Sequence, residues 1–432
     1  MDYNSLCERV FLPLADLANH TRVAEKLRFL GDSQWWSDEE LRDYQSQKLR
    51  GLVSHAYNNV PYYRALFDEC KINPSGIGTS DDLGKLPLFS KEQIRGNPQE
   101  FISKNHGRMT LYTTSGSTGE PMRFYVDKEA DGWKWACALR GWGWAGYRVG
   151  DRHALLSGNP NRGIKKMKDI LLRCAYMQTV KINDPILDGY LRAIQKNGVR
   201  FLAGYASAVH LLAKRAEERG VELHLNGIVT FGETLTQPNR KTIEETFGCG
   251  VNDTYGLGGE ALIVADQCEK RGCYHVHMEN VVAERVDGEI VLTGLNNYAM
   301  PLIRYRTGDY AGEICSGCGC GRGLLSFNGI TGRSGDVVVT ASGAKLILEF
   351  FVVLFEKIPT VKQFQVLQDS VDGITLRIVR NSGFTDRDLN RILGEIAMAC
   401  DRELKVEFEF VDEIKSSGRG KRRLIISAID DG

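Results

Sequence analysis

Apolar positions recur at two different periods along this chain, and the change of period divides it. From Leu41 to Ala56 the apolar residues Leu41, Leu49, Leu52, Val53 and Ala56 fall mostly at helical spacing with charges between them; this predicts an amphipathic helix. Pro61-Tyr62-Tyr63 breaks that pattern and restarts it toward Phe67, so residues 1–75 read as a helical layer packed on a core. Asp81-Asp82-Leu83 and Ser90-Lys91-Glu92 have the form of helix starts. Met109, Leu111 and Tyr112, then Phe124, Tyr125 and Val126, flank the segment Thr113–Pro121 and predict two strands joined by a loop. Asp127–Tyr147 carries Trp133, Trp135, Trp142 and Trp144 and reads as a helix in a core or interface. A strand at Ala154–Leu156 follows Gly150-Asp151-Arg152.

Between residues 175 and 255 short apolar runs alternate with helical ones. Strands are predicted at Arg200–Leu202, Ile228–Phe231 and Val251–Tyr255, and helices at Ala206–Arg219 and Pro238–Phe247. Such alternation predicts a mostly parallel sheet, which takes ligands at the C-terminal ends of its strands. Gly232-Glu233-Thr234 and Tyr255–Glu260 sit at those ends. Beyond residue 280, strands at Glu289–Thr293 and Leu302–Tyr305 predict a second sheet or barrel-like part. The last hundred residues read as a small α+β unit: strands Gln363–Leu367, Leu376–Val379 and Val406–Val411, and a helix at Asp386–Arg402. Gly329–Asp336 is the glycine- and charge-rich junction before it.

A chain of 432 residues exceeds one ordinary core and implies two or three domains. Lys+Arg and Asp+Glu both number 55, so net charge gives no sign of a nucleic-acid or anionic-membrane partner. The N-terminus lacks a basic region and cleavage site, and no run approaches about 18 apolar residues; a cytoplasmic protein is the expectation. Arg162, Lys165, Lys166, Lys168 and Arg173 lie close together and read as a solvated helix face, or as a steering patch for an anionic substrate.

The loop Thr113-Thr114-Ser115-Gly116-Ser117-Thr118-Gly119-Glu120-Pro121 is rich in hydroxyls and glycine. Glycines allow close backbone approach, and successive N–H groups with hydroxyls can surround phosphate oxygens. It lacks the Gly-Lys-Ser/Thr ending of a Walker loop. Tyr255-Gly256 offers a flat ring for a base, and Tyr305-Arg306-Thr307-Gly308-Asp309 places a carboxylate at a turn, suited to ribose hydroxyls. Gly332-Arg333 opens the junction, and Lys421 lies on the basic loop Ser416–Arg423.

Of 11 cysteines, Cys268, Cys273, Cys315, Cys318 and Cys320 fall in two short segments. Clustering in a large chain points to metal ligation rather than a disulfide framework. Cys268 and His275 with Cys318 and Cys320 would make a closed, structural zinc site; Cys315, Cys273 and His277 are alternates.

These segments together resemble the adenylate-forming superfamily of acyl-CoA synthetases, and within it the phenylacetate–CoA ligase and CapK-like branch. The resemblance rests on Thr113–Pro121, Gly150-Asp151-Arg152, Ala299–Asp309, Ile330–Asp336 and Cys318-Gly319-Cys320-Gly321-Arg322, and runs from about residue 60 to 425. It implies an α/β fold. A large multi-part adenylation domain at 1–332 has mostly parallel sheets and a β-rich part, a hinge follows at 333–336, and a small mobile α+β domain at 337–432. It implies two half-reactions: a small, aromatic or apolar carboxylic acid attacks ATP to give acyl-AMP and pyrophosphate, then coenzyme A takes the acyl group and AMP leaves. By the same resemblance Lys421 bridges carboxylate and phosphate, Glu260 holds Mg²⁺, and Asp309 holds the ribose. The loop Thr113–Gly119, Gly232, Glu233, Asp253, Thr254, Tyr255, Gly256 and Arg333 bind nucleotide; Tyr205, Gly256 and Leu257 line the acid pocket. One departure stands out: the family reads Tyr-Gly, two residues, then Glu, and this chain has Leu257-Gly258-Gly259 before Glu260. An amine, sugar or carrier protein as acceptor, and a non-catalytic nucleotide- or metabolite-binding protein, are the alternatives. A monomer and a homodimer are both compatible.

Overall fold

The computed structural model describes residues 2–113, 122–158, 164–179, 182–315, 318–331, 337–400, 404–414 and 424–429. The chain divides into two compact units, one formed by Met1–Thr114, Met122–Val149 and Asn252–Thr331, the other by Ser115–Pro121, Gly150–Val251 and Gly332–Gly432.

In the first unit the N-terminal segment is helical, as its period requires. Helix Asp38–Asn59 starts in a capping box, Ser37 with Glu40, and buries Leu41, Leu49, Leu52, Val53 and Ala56. Pro61 then opens helix Pro61–Glu69, at a position where its missing N–H costs nothing. Ser90 caps helix Lys91–Gly96. Strands Met109–Thr113 and Arg123–Asp127 pair as an antiparallel hairpin. Asp127 caps helix Lys128–Trp144, which buries Trp133 and Trp144 and leaves Trp135 exposed. Strands Val251–Leu257, Leu262–Gln267, Tyr274–Val276 and Ser326–Phe327 follow one another as antiparallel neighbours. A second antiparallel sheet orders Val281–Val286, Glu289–Gly294, Tyr305–Ala311 and Ile330–Thr331.

Two expectations need correction here. The strand expected at Leu302–Tyr305 lies further on, at Tyr305–Ala311. Arg304 has φ 58°, a left-handed backbone that no strand tolerates, and it bends the chain first. Asp309 is therefore inside a strand rather than at a turn. Gly308, at φ 71°, supplies the kink just before it, and the Glu289 carboxylate accepts its N–H at 2.9 Å.

The second unit carries the parallel sheet, in the order Cys174–Gln178, His153–Ser157, Phe201–Tyr205, Gly227–Phe231. Helices Ile164–Leu171, Asp184–Asn197 and Ala206–Glu218 connect its strands. Its C-terminal part is a four-stranded sheet, Lys405–Phe410, Gly373–Arg380, Val361–Ser370 and Ile425–Ser427. Phe351, Phe364, Leu376, Ile392 and Ile396 form the core between that sheet and helices Leu348–Glu356 and Asp386–Ala399. No helix among the described residues is long and apolar enough to cross a membrane.

Candidate functional site

Two buried carboxylates, each held by a tyrosine, form the centre of the first unit's polar site. Strand Val251–Leu257 presents Tyr255, whose hydroxyl donates to Asp309 Oδ2 at 3.0 Å. Burial first, then the Asp309 charge, push the Tyr255 phenol well above its ordinary value, so it stays a donor. Asp309 is otherwise enclosed, and its own N–H donates to Thr307 Oγ1. Gly256 has no room for a side chain: a Cβ there would lie 2.8 Å from the Leu262 carbonyl oxygen. Leu257 is buried against the same core.

Glu260 sits on the turn after this strand, with Ala261 at φ 55° absorbing the reversal. Its Oε1 accepts from the Tyr305 hydroxyl at 2.7 Å and pairs with Lys91 Nζ at 3.1 Å. Burial would raise this carboxyl, but Lys91 and Tyr305 outweigh it and hold it below the ordinary value. Lys91 is the residue that sequence reasoning missed. Its only signal was its place after the cap Ser90, which says nothing of a partner so distant in sequence. The carboxylate expected to hold Mg²⁺ pairs with an ammonium through Oε1, the oxygen that also accepts from Tyr305.

Of the other expected nucleotide contacts, Thr113 is exposed at the end of its strand, opposite Arg123. The rest of that loop (Thr114, Ser115, Gly116, Ser117, Thr118 and Gly119), together with Arg333, the 333–336 hinge and Lys421, lies outside the described residues. Asp253 and Thr254 have committed side chains: the Tyr274 hydroxyl donates to Asp253 at 2.6 Å, and the Thr254 hydroxyl donates to Asp266.

In the second unit, Tyr205, Gly232 and Glu233 gather at the C-terminal ends of parallel strands. Gly232 has φ 80°, and a Cβ there would lie 2.8 Å from the Tyr205 ring. The Glu233 carboxylate accepts the Ser207 N–H at 2.9 Å, in the first turn of helix Ala206–Glu218, where a negative charge suits the helix dipole. Burial still raises its pKa.

The cysteine cluster is the most compact donor set. One ligand atom from each of Cys268, His275, Cys318 and Cys320 lies within 4.8 Å of the others. Cys268 and Cys318 sulfurs are 3.3 Å apart, and Cys320 Sγ is 3.5 Å from His275 Nε2. Zinc–sulfur bonds of ~2.3 Å at tetrahedral angles put sulfurs about 3.8 Å apart, so the four groups fit such an ion after small shifts. Burial, then Arg322, lower the His275 pKa to about 4, leaving a neutral imidazole with a lone pair to offer. Burial opposes ionisation of Cys320, but hydrogen bonds from Arg322 prevail and lower its pKa. Arg322 is itself fixed by Gln34, Glu269 and the faces of Trp35 and Trp144. The alternates lie elsewhere: Cys273 and Cys315 are bonded to each other, with Cα atoms 6.3 Å apart, and His277 is buried between Arg140 and Asp266.

Comparison with known proteins bears on the whole chain. Residues 338–428 match the family model of the CapK C-terminal domain. A phenylacetate-coenzyme A ligase of Thermus thermophilus is 26% identical over 402 residues, covering 85% of this chain and 87% of that one. Protein CapK of Staphylococcus aureus is 25% identical over 415 residues, 90% of each chain. Among solved structures, a 2-hydroxyisobutyryl-CoA ligase in complex with its acyl-adenylate and coenzyme A superposes with TM-score 0.60 over 92% of each chain, at 16% identity, which speaks for the fold. Over most of its length the chain is therefore similar to phenylacetate–CoA ligases and to a CapK protein, and at its C-terminal end to the CapK C-terminal domain.

Proposed function

We propose that the protein is an ATP-dependent acid–thiol ligase: it adenylates a small carboxylic acid, releases pyrophosphate, and passes the acyl group to coenzyme A. The observation that carries this reading is the Tyr255–Asp309 pair, a preformed acceptor beside a flat ring on the strand where the family's most specific segment falls. Asp309, its charge fixed in a buried position, accepts from the ribose hydroxyls, and Tyr255 stacks on the base. The Thr113–Gly119 loop embraces the departing phosphates. Lys421 stabilises the negative charge that grows on the α-phosphate as the carboxylate attacks, a contribution of roughly 3 kcal/mol for one well-placed donor.

Mg²⁺, when bound through Glu260, would neutralise phosphate oxygens. Tyr305 orients the Glu260 carboxylate and Lys91 balances its charge. Zinc at Cys268, His275, Cys318 and Cys320 would be structural, since four protein ligands leave no open position. The acid we favour is aromatic or apolar, because the Tyr205 ring lies directly against the Gly232 backbone and offers an aromatic surface there. ATP and coenzyme A as substrates make the cytoplasm the compartment of the reaction.

Pyrophosphate release with ATP, Mg²⁺ and a panel of carboxylic acids tests the first half-reaction, and thioester formation on adding coenzyme A tests the second. Turnover with an arylacetic or other apolar acid is expected. ATP binding with no turnover on any acid would leave only a binding protein. Turnover that ignores coenzyme A and needs an amine or a carrier protein would reassign the acceptor.

A further inference from the structure

The zero net charge of the chain conceals a local excess. Residues 162–173 contain five cations and one anion. Most of this stretch is helix Ile164–Leu171, which leads into Cys174–Gln178, the strand at one end of the parallel sheet. On that helix Met167 is 63% exposed, Ile170 67% and Leu171 43%. Spacings of three and four residues put the three on one face. Lys168 and Arg173 are exposed alongside. Apolar side chains aligned in solvent with cations around them are not what a merely solvated helix needs; such a helix would carry polar residues there.

We propose that this helix is an in-plane docking element for an anionic lipid surface, with Met167, Ile170 and Leu171 entering the headgroup–acyl boundary and Lys168 and Arg173 meeting lipid phosphates. Charge complementarity selects the partner's sign. The choice of a bilayer over an acidic protein follows from the shape and make-up of the face. It is a short ridge of aliphatic side chains, without the aromatic anchors that dominate protein hot spots. A fluid interface accepts such a ridge without a matching groove, and lysine and arginine stems can lie along it while their charges reach the headgroups. Attachment of this kind is peripheral and reversible, in keeping with the absence of any membrane-spanning helix among the described residues.

Co-sedimentation of the full chain with extruded vesicles tests it. Phosphatidylglycerol vesicles should carry the protein down at low salt, phosphatidylcholine vesicles should not, and binding should fall steeply as salt is raised. Lys168→Gln and Arg173→Gln should each weaken partitioning roughly fivefold, the effect of one cation near an anionic surface. Met167→Glu with Ile170→Glu should abolish it, while the thermal melt and ATP binding stay as in the parent, since both residues face solvent. Absence of binding to anionic vesicles would overturn the proposal, and so would undiminished binding by the double variant. Binding to an immobilised acidic carrier protein in place of vesicles, or release from vesicles by coenzyme A, would assign the patch to another ligand. The proposal does not depend on the ligase reading, and vesicle binding is measured without acid or ATP.

Discussion

Replacing Lys91 by methionine removes the one cation that, among the described residues, pairs with the buried Glu260 carboxylate. The pair is 3.1 Å long, with the lysine side chain 20% exposed and the glutamate 2% exposed. At an effective dielectric of 20 its gross Coulomb energy is about 5 kcal/mol, much of it cancelled by desolvation. Stranding one buried member of a pair costs about 3–5 kcal/mol, and the residual exposure of Lys91 brings the expectation to about 2–3 kcal/mol at pH 7. The loss has a ceiling. A stranded carboxylate can take up a proton, at a cost of 1.36 kcal/mol for each pH unit above its unfolded pKa of about 4.3; that is about 3.7 kcal/mol at pH 7 and about 1 kcal/mol at pH 5.

The two proteins therefore respond oppositely to acid. In the parent the Glu260 pKa is held below its ordinary value. Its contribution is full above the unfolded pKa and is lost only as pH falls through the folded one. In Lys91→Met burial raises the pKa, so the penalty shrinks as pH falls from 7 to 5, and the stability gap narrows by about 1–2 kcal/mol. Urea unfolding followed by tryptophan fluorescence reads this cleanly, since all six tryptophans lie in the same unit as the pair. Lys91→Met with Glu260→Gln should recover most of the stability, because a neutral pair carries no stranded charge. A Lys91→Met protein as stable as the parent at pH 7, or a gap that does not change with pH, would refute this account of the site.

Purified protein should hold one equivalent of zinc; Cys318→Ser should lose it and melt at lower temperature, whereas Cys273→Ser, outside the cluster, should keep it. Metal analysis and a thermal melt read both, and a zinc-free parent would dismiss the site. Lys421→Ala should abolish pyrophosphate release but spare thioester formation from supplied acyl-AMP; equal loss of both half-reactions would remove the role given to it. Gly141→Ala should destabilise the fold by about 1–3 kcal/mol in a urea titration, since its Cβ would collide with the Asp266 carboxylate, which is fixed by Thr254 and His277. Unchanged stability would mean that this buried network yields readily.

Periodicity sees what is local. Helix Asp38–Asn59, the hairpin at Met109–Thr113 and the strand–helix alternation after Cys174 were legible because the buried face of each repeats at its own period. The strand at Tyr305–Ala311 was misplaced because Leu302 and Ile303 are apolar for another reason: they are core residues in a bend that Arg304 reverses. Asp309 was singled out by resemblance; no periodicity points to it. The Cys268, Cys318 and Cys320 donors were legible as a cluster, but spacing could not choose between His275 and His277; distant neighbours separate the two, with Arg140 and Asp266 engaging His277.

Arg140 shows where such reading stops. It shares the buried face of its helix with Trp133, Cys137, Gly141 and Trp144. A guanidinium there must find a carboxylate, because an unpaired buried charge costs several kcal/mol. That much follows from position alone. Which of 55 acidic residues answers it does not. The structure supplies Glu279, at 2.7 Å, and continues through His277 to Asp266 and Thr254, next to Tyr255. Desolvation thus specifies that a partner exists, and only the packing of distant segments specifies which; the same holds for Lys91 on Glu260. Charged residues on otherwise apolar helix faces are accordingly the positions where a sequence demands a long-range contact without naming it.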